Sequence, residues 1–239
     1  MPGWKRPENV AFPSVWLKFK AKDVNSDNLV EYRVQDMTEE DFEKGASRMK
    51  EFFVRDEVMN QSMDLANDEK GVQELYQIWK GMVKQRLSLA CFKENSEEMV
   101  GCNILYISEK DVEDDQELTS TKFKAVARAI DFAISKGPNV KEIYNVEYHL
   151  GAFGLSVDPK YRGRGIATEI LKARVPLCKA LGIELTSNVF TGEASQAVAK
   201  KAGFEVNFSM TYDELAHYGF VFDKPVKAKS LAVMSLKIQ

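Results

Sequence analysis

The hydrophobic pattern of the chain predicts a mixed α/β (α+β) fold, with a central sheet of about seven strands flanked by helices. Three observations carry that expectation. Short apolar runs bounded by turn residues recur from Leu29 to the C-terminus, and stretches with helical periodicity lie between them. One long strand candidate is stopped at Asp158-Pro159, and a glycine-containing loop then leads into a helix. No internal repeat, low-complexity tract or linker interrupts the order, so residues 29–239 read as one domain and 1–28 as an arm packing on it.

Taken in order, the arm carries Pro2, Pro7 and Pro13 among Trp4, Phe12, Trp16 and Phe19, which suggests extended chain held on the body. Leu29–Val34 reads as the first strand. Thr38-Glu39-Glu40-Asp41 offers a helix N-cap with acids in the first turn, followed by Phe42, Ala46, Met49 and Phe53 at helical spacing. Val72, Leu75, Ile78, Trp79, Met82 and Val83 mark a second helix. Leu87–Lys93 and Met99–Ile107 form a strand pair around a polar turn, and an acidic loop from Glu109 to Glu117 leads to a helix over Thr121–Lys136. Beyond it come a long strand (Ile143–Val157), a helix (Gly165–Leu181), a strand (Ile183–Phe190) and a short helix (Gly192–Lys201) closed by Gly203. Strands near Glu205–Tyr212 and Ser230–Ile238 finish the sheet. Pro176, inside the helix after the loop, is expected to kink it.

The formal net charge of -3 argues against a dedicated nucleic-acid binder. No apolar run approaches the ~20 residues that cross a bilayer. The first residues lack the apolar stretch of a secretion signal, so the expected location is the cytoplasm, without a membrane partner. Cys91, Cys102 and Cys178 are odd in number and widely spaced, as reduced thiols would be. With only His149 and His217, and no Cys-x-x-Cys, no metal site is expected.

Chemistry concentrates at Tyr161-Arg162-Gly163-Arg164-Gly165-Ile166-Ala167-Thr168. Two glycines allow close backbone approach, and a helix beginning here presents unpaired N–H groups and the positive end of its dipole. Such a start suits a pyrophosphate. Lys160, Arg162, Arg164, Lys172, Arg174 and Lys179 face only Glu169 across the stretch. Neither a Gly-x-x-x-x-Gly-Lys-Ser/Thr nor a dinucleotide fingerprint is present. A turn with solvated arginines is the ordinary alternative for so short a motif.

Ser156-Val157-Asp158-Pro159-Lys160-Tyr161-Arg162-Gly163-Arg164-Gly165-Ile166-Ala167 resembles the strand-to-helix signature of the GNAT acetyltransferase superfamily, with Arg162, Gly165 and Ala167 at its core positions. Ser195-Gln196-Ala197-Val198-Ala199-Lys200-Lys201-Ala202-Gly203-Phe204 is similar to the superfamily's short helix ending in Gly-Phe. Phe52-Phe53-Val54-Arg55-Asp56-Glu57-Val58-Met59-Asn60 further resembles a segment of the insect arylalkylamine N-acetyltransferases, with Val58 where those enzymes carry proline. The resemblance implies a GNAT fold and acetyl-CoA as co-substrate. It places the cofactor on Leu155, Ser156 and Val157 of the strand and on Arg162, Gly163, Arg164, Gly165, Ile166, Ala167 and Thr168 of the loop and helix start.

The same resemblance maps a general base onto Glu57, which would take a proton from the incoming amine. Without it, Asp56-Glu57 is simply a polar helix end. Ser195 matches a serine proposed to assist at the sulfur, and a first-turn hydroxyl bonding locally explains it equally well. Thr191 sits where a hydroxyl is frequent, or caps a helix; Tyr212 could protonate the leaving thiolate, or pack in a strand. Gly151 and Gly154 are compatible with distortion of the long strand. The acidic loop could attract amines, although a solvated loop is the simpler reading. The implied acceptor is a small primary amine, foremost an arylalkylamine, and the protein is expected to act as a monomer. A polyamine or agmatine, a peptide amine, or a catalytically silent acetyl-CoA-binding module are the alternatives.

Overall fold

Leu89–Lys93 (β3) carries apolar side chains at consecutive positions because the strand is buried on both faces. Leu89 and Cys91 enter one core, and Ala90 and Phe92 the other. The computed structural model describes residues 3–109 and 118–239, so the acidic loop lies outside the described residues apart from Glu109. Around β3 stand β1 (Val15–Lys22), β2 (Leu29–Asp36), β4 (Met99–Ser108), β5 (His149–Val157), β6 (Leu185–Phe190), β7 (Glu205–Thr211) and β8 (Ser230–Lys237). They form one eight-stranded sheet in the order β1-β2-β3-β4-β5-β6-β8-β7. Every neighbouring pair is antiparallel except β5 and β6.

The eighth strand is β1, in the stretch read as an arm. Its alternation is masked by lysines on the exposed side of an edge strand, a common guard against edge pairing. Ahead of it Arg6 reaches back to Asp36 at 2.9 Å, and Ser14 N–H and Trp16 Nε1 donate to the same carboxylate.

The first helix, α1 (Glu39–Arg48), opens with a capping box in which Thr38 and Asp41 satisfy each other's backbone N–H groups. The spacing that ran on to Phe53 continues through a widened turn at Met49–Phe53 and a short helix α2 (Val54–Asp56) before the chain extends at Glu57. A further short helix, α3 (Val58–Ser62), follows, and then α4 (Glu69–Val83). Phe42, Ala46, Met49, Leu75 and Trp79 from these elements cover one sheet face. Helix α5 (Thr121–Lys136) has the predicted bounds, capped by Ser120.

The long strand expected from Ile143 starts only at His149. Asn139 accepts from Lys141 N–H and starts a short helix α6 (Val140–Tyr144), which Asn145 ends in the left-handed region at φ 52°. Helix α7 (Ile166–Leu181) runs unbroken past Pro176 and lays Ile166, Ile170, Ala173 and Leu177 on the sheet face opposite α4. Helix α8 (Glu193–Lys201) precedes β7, and Tyr212, expected inside that strand, instead opens α9 (Tyr212–His217) because Thr211 and Glu214 form a second capping box.

Candidate active site

The centre of the sheet opens at its parallel pair, the only one among the described residues. β5 and β6 meet at Leu150↔Thr186 and then diverge. Register with β4 slips between Asn103 and Leu105, and Gly154 in β5 takes φ +109° at that bulge. A Cβ on Gly154 would lie 2.5 Å from the Met49 methyl and 3.1 Å from the Phe53 ring, so space as well as φ requires glycine. Gly151 has no such twist; a Cβ there would strike the Tyr106 ring at 2.8 Å. Past the bulge, Leu155, Ser156 and Val157 pair with β4 on one side only, and the Ser156 hydroxyl is buried without a partner.

At the end of β5, Asp158 accepts from Lys160 N–H and from Arg48 at 2.6 Å. Burial pushes its carboxyl up, and these two bonds overcome that and hold it below the usual range. Pro159–Tyr161 makes one tight turn, and Gly163 (φ +77°) and Gly165 (φ +81°) carry the chain into α7. A Cβ on either would meet nothing within 4 Å, so their outer side is open. No side chain caps the N-terminus of α7, which leaves the first N–H groups of Ile166, Ala167 and Thr168 directed at that space. An open groove of about 450 Å³ lies beside it, lined by Lys22, Asn25, Ser26, Asp27 and Arg162–Arg164.

The loop's cations are less free than the sequence suggests. Arg162 donates from Nε to Val157 O and pairs with Asp56 at 2.8 Å. Arg164 reaches the Arg162 and Asp23 carbonyls, Lys160 pairs with Glu98, and Lys172 with Glu169. Arg174, counted among these cations, is 1% exposed and lies inside the protein under the sheet.

Glu57 stands where α2 ends and α3 begins. Its carboxylate caps α3, accepting from Met59 N–H at 3.1 Å and Asn60 N–H at 2.8 Å. The third partner comes from the far side of the sheet opening: Thr191, just after β6, donates its hydroxyl to Oε1 at 2.5 Å. Thr191 therefore bonds Glu57 and does not cap α8, whose cap is Gly192. Tyr212 donates to Thr191 O at 2.6 Å. Burial first, and then the charges of Glu57 and Glu193, push its phenol well above the usual range. Ser195 is bonded locally, donating to Gly192 O at 2.8 Å and accepting from Gly192 N–H. A Cβ on Gly192 would touch Val58 at 3.4 Å, so α8 begins beside the Glu57 segment.

The other chemistry-bearing residues sit elsewhere. All three cysteines are buried, with burial pushing the Cys102 and Cys178 thiols up to about 12. Burial pushes His149 down to about 4 at the start of β5.

A family model described as "Acetyltransferase (GNAT) family" matches residues 48–204, from the end of α1 through Gly203-Phe204. The chain belongs to the GNAT acetyltransferase family. That span holds Glu57, the opening of β5, the loop and Ser195; β1, β2, β7 and β8 lie outside it. As a GNAT protein it is an acyltransferase, and the family's acyl donor is acetyl-CoA. Among solved structures it is similar to a yellow fever mosquito (Aedes aegypti) protein bearing the name arylalkylamine N-acetyltransferase 7. The two share 44% identity with a TM-score of 0.95 over 99% of this chain and 100% of that one. Arylalkylamine N-acetyltransferase 2 from Aedes aegypti shares 20% identity at a TM-score of 0.75, covering 87% and 99%. A Drosophila melanogaster polyamine N-acetyltransferase shares 15% identity at 0.73, covering 87% and 100%. The last two show likeness of fold alone. Among the described residues, no helix is long and apolar enough to cross a membrane.

Proposed function

We propose that this GNAT enzyme transfers the acetyl group of acetyl-CoA directly to a small primary amine, an arylalkylamine foremost, with Glu57 as general base. The observation that carries the reading is the Glu57 carboxylate itself. It is half-buried, held by two backbone N–H groups and the Thr191 hydroxyl, and set where β5 and β6 part. In this reading the pyrophosphate lies on Arg162–Gly165 and the first N–H groups of Ile166, Ala167 and Thr168. The thioester runs along Leu155–Val157, where a backbone N–H polarises its carbonyl. The amine nitrogen attacks the carbonyl carbon, its proton passes to Glu57 directly or through water, and the carbon–sulfur bond breaks. The leaving sulfur takes up a proton. Ser195 would assist at that sulfur, and its hydroxyl also bonds Gly192 at the start of α8.

Aromatic acceptors fit the surroundings better than polycations. Next to Glu57, Val58 and Met59 share an apolar cluster with Tyr212, Phe220 and Phe222. The carboxylates on neighbouring elements are already engaged, Asp56 by Arg55 and Arg162 and Asp64 by Lys122 and Lys224. A second cationic centre on the substrate would find these two carboxylates already paired. The 44% identity with the mosquito protein supports the same class. Three buried, unpaired cysteines fit the reducing cytoplasm, and the reading takes the protein there as a monomer.

The test is thiol release from acetyl-CoA with a panel of arylalkylamines, polyamines and peptides, using wild type and Glu57→Gln. Turnover of arylalkylamines that falls by roughly 10²–10⁴ in the variant is the expected result. Acetyl-CoA binding without turnover of any amine would overturn it.

A further inference from the structure

Arg174 is the largest charged side chain inside the protein, and its hydrogen bonds go only to neutral oxygens. Nε and Nη2 donate to Asn103 Oδ1 at 3.0 and 2.7 Å, and Nη1 donates to Thr186 Oγ1 at 3.2 Å and Asn188 Oδ1 at 3.3 Å. The Phe204 ring lies 5.8 Å from its guanidinium carbon. Among the described residues it forms no ion pair with a carboxylate. A buried cation without a counter-charge is costly, and an apolar side chain of similar volume would usually be tolerated as well or better. Its presence calls for a reason other than stability.

The reason lies one bond further on. Each acceptor of Arg174 is itself a donor to a carbonyl of β5: Thr186 Oγ1 to Leu150 O at 2.9 Å, Asn188 Nδ2 to Ala152 O at 2.9 Å, and Asn103 Nδ2 to Gly154 O at 2.8 Å. Leu150, Ala152 and Gly154 are the carbonyls that run up to and through the bulge, where pairing with β6 has stopped. A guanidinium can only donate. By occupying the oxygen of each amide and a lone pair of the threonine, Arg174 forces all three groups to turn their hydrogens toward β5. Without it either amide could flip and present oxygen to oxygen.

We propose that Arg174 is a positioning residue that holds the opened segment of β5 in the shape its backbone needs to receive a thioester. The inference rests on the reading that Leu155–Val157 meets the acetyl-CoA thioester. Arg174 touches neither substrate; it acts through Asn103, Thr186 and Asn188, which carry the orientation of its donors to the strand. The loop motif and the splay are thereby linked by one helix, since Arg174 lies two turns into α7, whose N-terminus faces the loop.

The experiment compares wild type, Arg174→Met, Asn188→Asp and, as a control on the same helix, Leu177→Ala. Three quantities are measured: amide hydrogen exchange of residues 152–156 without ligand, acetyl-CoA affinity by calorimetry, and kcat and KM for the amine. In Arg174→Met, exchange at these amides should accelerate at least roughly tenfold and kcat should fall by roughly 10²-fold, the loss expected of a displaced reacting geometry. KM for the amine should stay near wild type. Leu177→Ala should lower thermal stability while leaving exchange in β5 and kcat nearly unchanged. Asn188→Asp supplies the missing counter-charge and removes the donor to Ala152 O, so it should keep or raise thermal stability and still slow turnover. It also serves if Arg174→Met does not fold. Wild-type exchange and kcat in Asn188→Asp, or equal losses in Leu177→Ala, would overturn the proposal. If wild type acetylates no amine, the proposed function falls by itself, and the exchange data still decide the role of Arg174.

Discussion

Thr191 and Glu57, 134 positions apart in the chain, share a hydrogen bond of 2.5 Å from hydroxyl to carboxylate across the mouth of the opened sheet. Thr191 sits at the end of β6, and Glu57 at the junction of α2 and α3. The bond makes the orientation of the base depend on the strand that forms one wall of the opening. The β-branched shape of threonine allows a near-isosteric test. Thr191→Val removes the donor and leaves the two backbone donors to Glu57 in place. A hydrogen bond to a charged group is worth about 1.5–3 kcal/mol, so kcat/KM should fall by roughly ten- to a hundredfold with little change in fold. Because both residues act on one proton transfer, Thr191→Val combined with Glu57→Gln should be scarcely slower than Glu57→Gln alone. Steady-state kinetics of the four proteins would check this, and additive losses would separate the two residues.

Gly154 carries both a positive φ and a crowded position against Met49 and Phe53. Gly154→Ala should lower unfolding free energy by about 1–2 kcal/mol for the backbone alone, with more from the Met49 contact. Acetyl-CoA affinity should drop alongside. Denaturant titration and calorimetry measure the two effects, and an unchanged affinity would remove the bulge from the cofactor path.

Acid should loosen the loop's anchorage first. Asp158 sits below its ordinary 3.8 because Arg48 and the Lys160 N–H outweigh burial, and Asp56 does so chiefly through Arg55 and also Arg162, against burial. For carboxyls lowered in the folded state, the stabilisation is fully present above the unfolded value. It is lost as pH falls through the folded values, which here means below about pH 4. Denaturant midpoints between pH 6 and 3 should show this decline, and Asp158→Asn should make the acid limb shallower.

The Arg6–Asp36 pair is buried at both ends, with Asp36 fully enclosed. Burial raises the Asp36 carboxyl even against its bonds from Trp16, Ser14 and Arg6. Arg6→Met leaves a buried carboxylate short of its cation and should cost about 3–5 kcal/mol in urea unfolding. Because a raised carboxyl pKa weakens stability as pH rises through it, the variant should lose less at pH 4 than at pH 7. An unchanged midpoint would mean that the Arg6–Asp36 pair contributes nothing to the fold.

Much of this molecule could be read in one dimension. α5 was legible because Gly137-Pro138 ends it, and the Thr38 cap marks α1 just as plainly. The loop stood out because Gly163 and Gly165 supply positive φ within a few residues of a helix start. Local signals also misled where a stronger local signal competed. The helix that Asn139 starts runs into the first residues of what looked like strand, and Thr211 with Glu214 turns Tyr212 out of β7. The lysine-rich Val15–Lys22 hid a strand because an edge has only half its surface to bury.

Legible in the sequence alone, then, were most of the order of elements, the glycine-containing loop and the family, since each depends on residues within about one turn or strand of one another. Only the tertiary structure decided which groups Glu57 bonds, where Ser195 and Tyr212 spend their hydroxyls, and that Arg174 is a buried hub rather than a loop cation. Those relations join positions tens to hundreds of residues apart, and a side chain's partners in them are set by strand order and burial, which neighbouring residues do not encode.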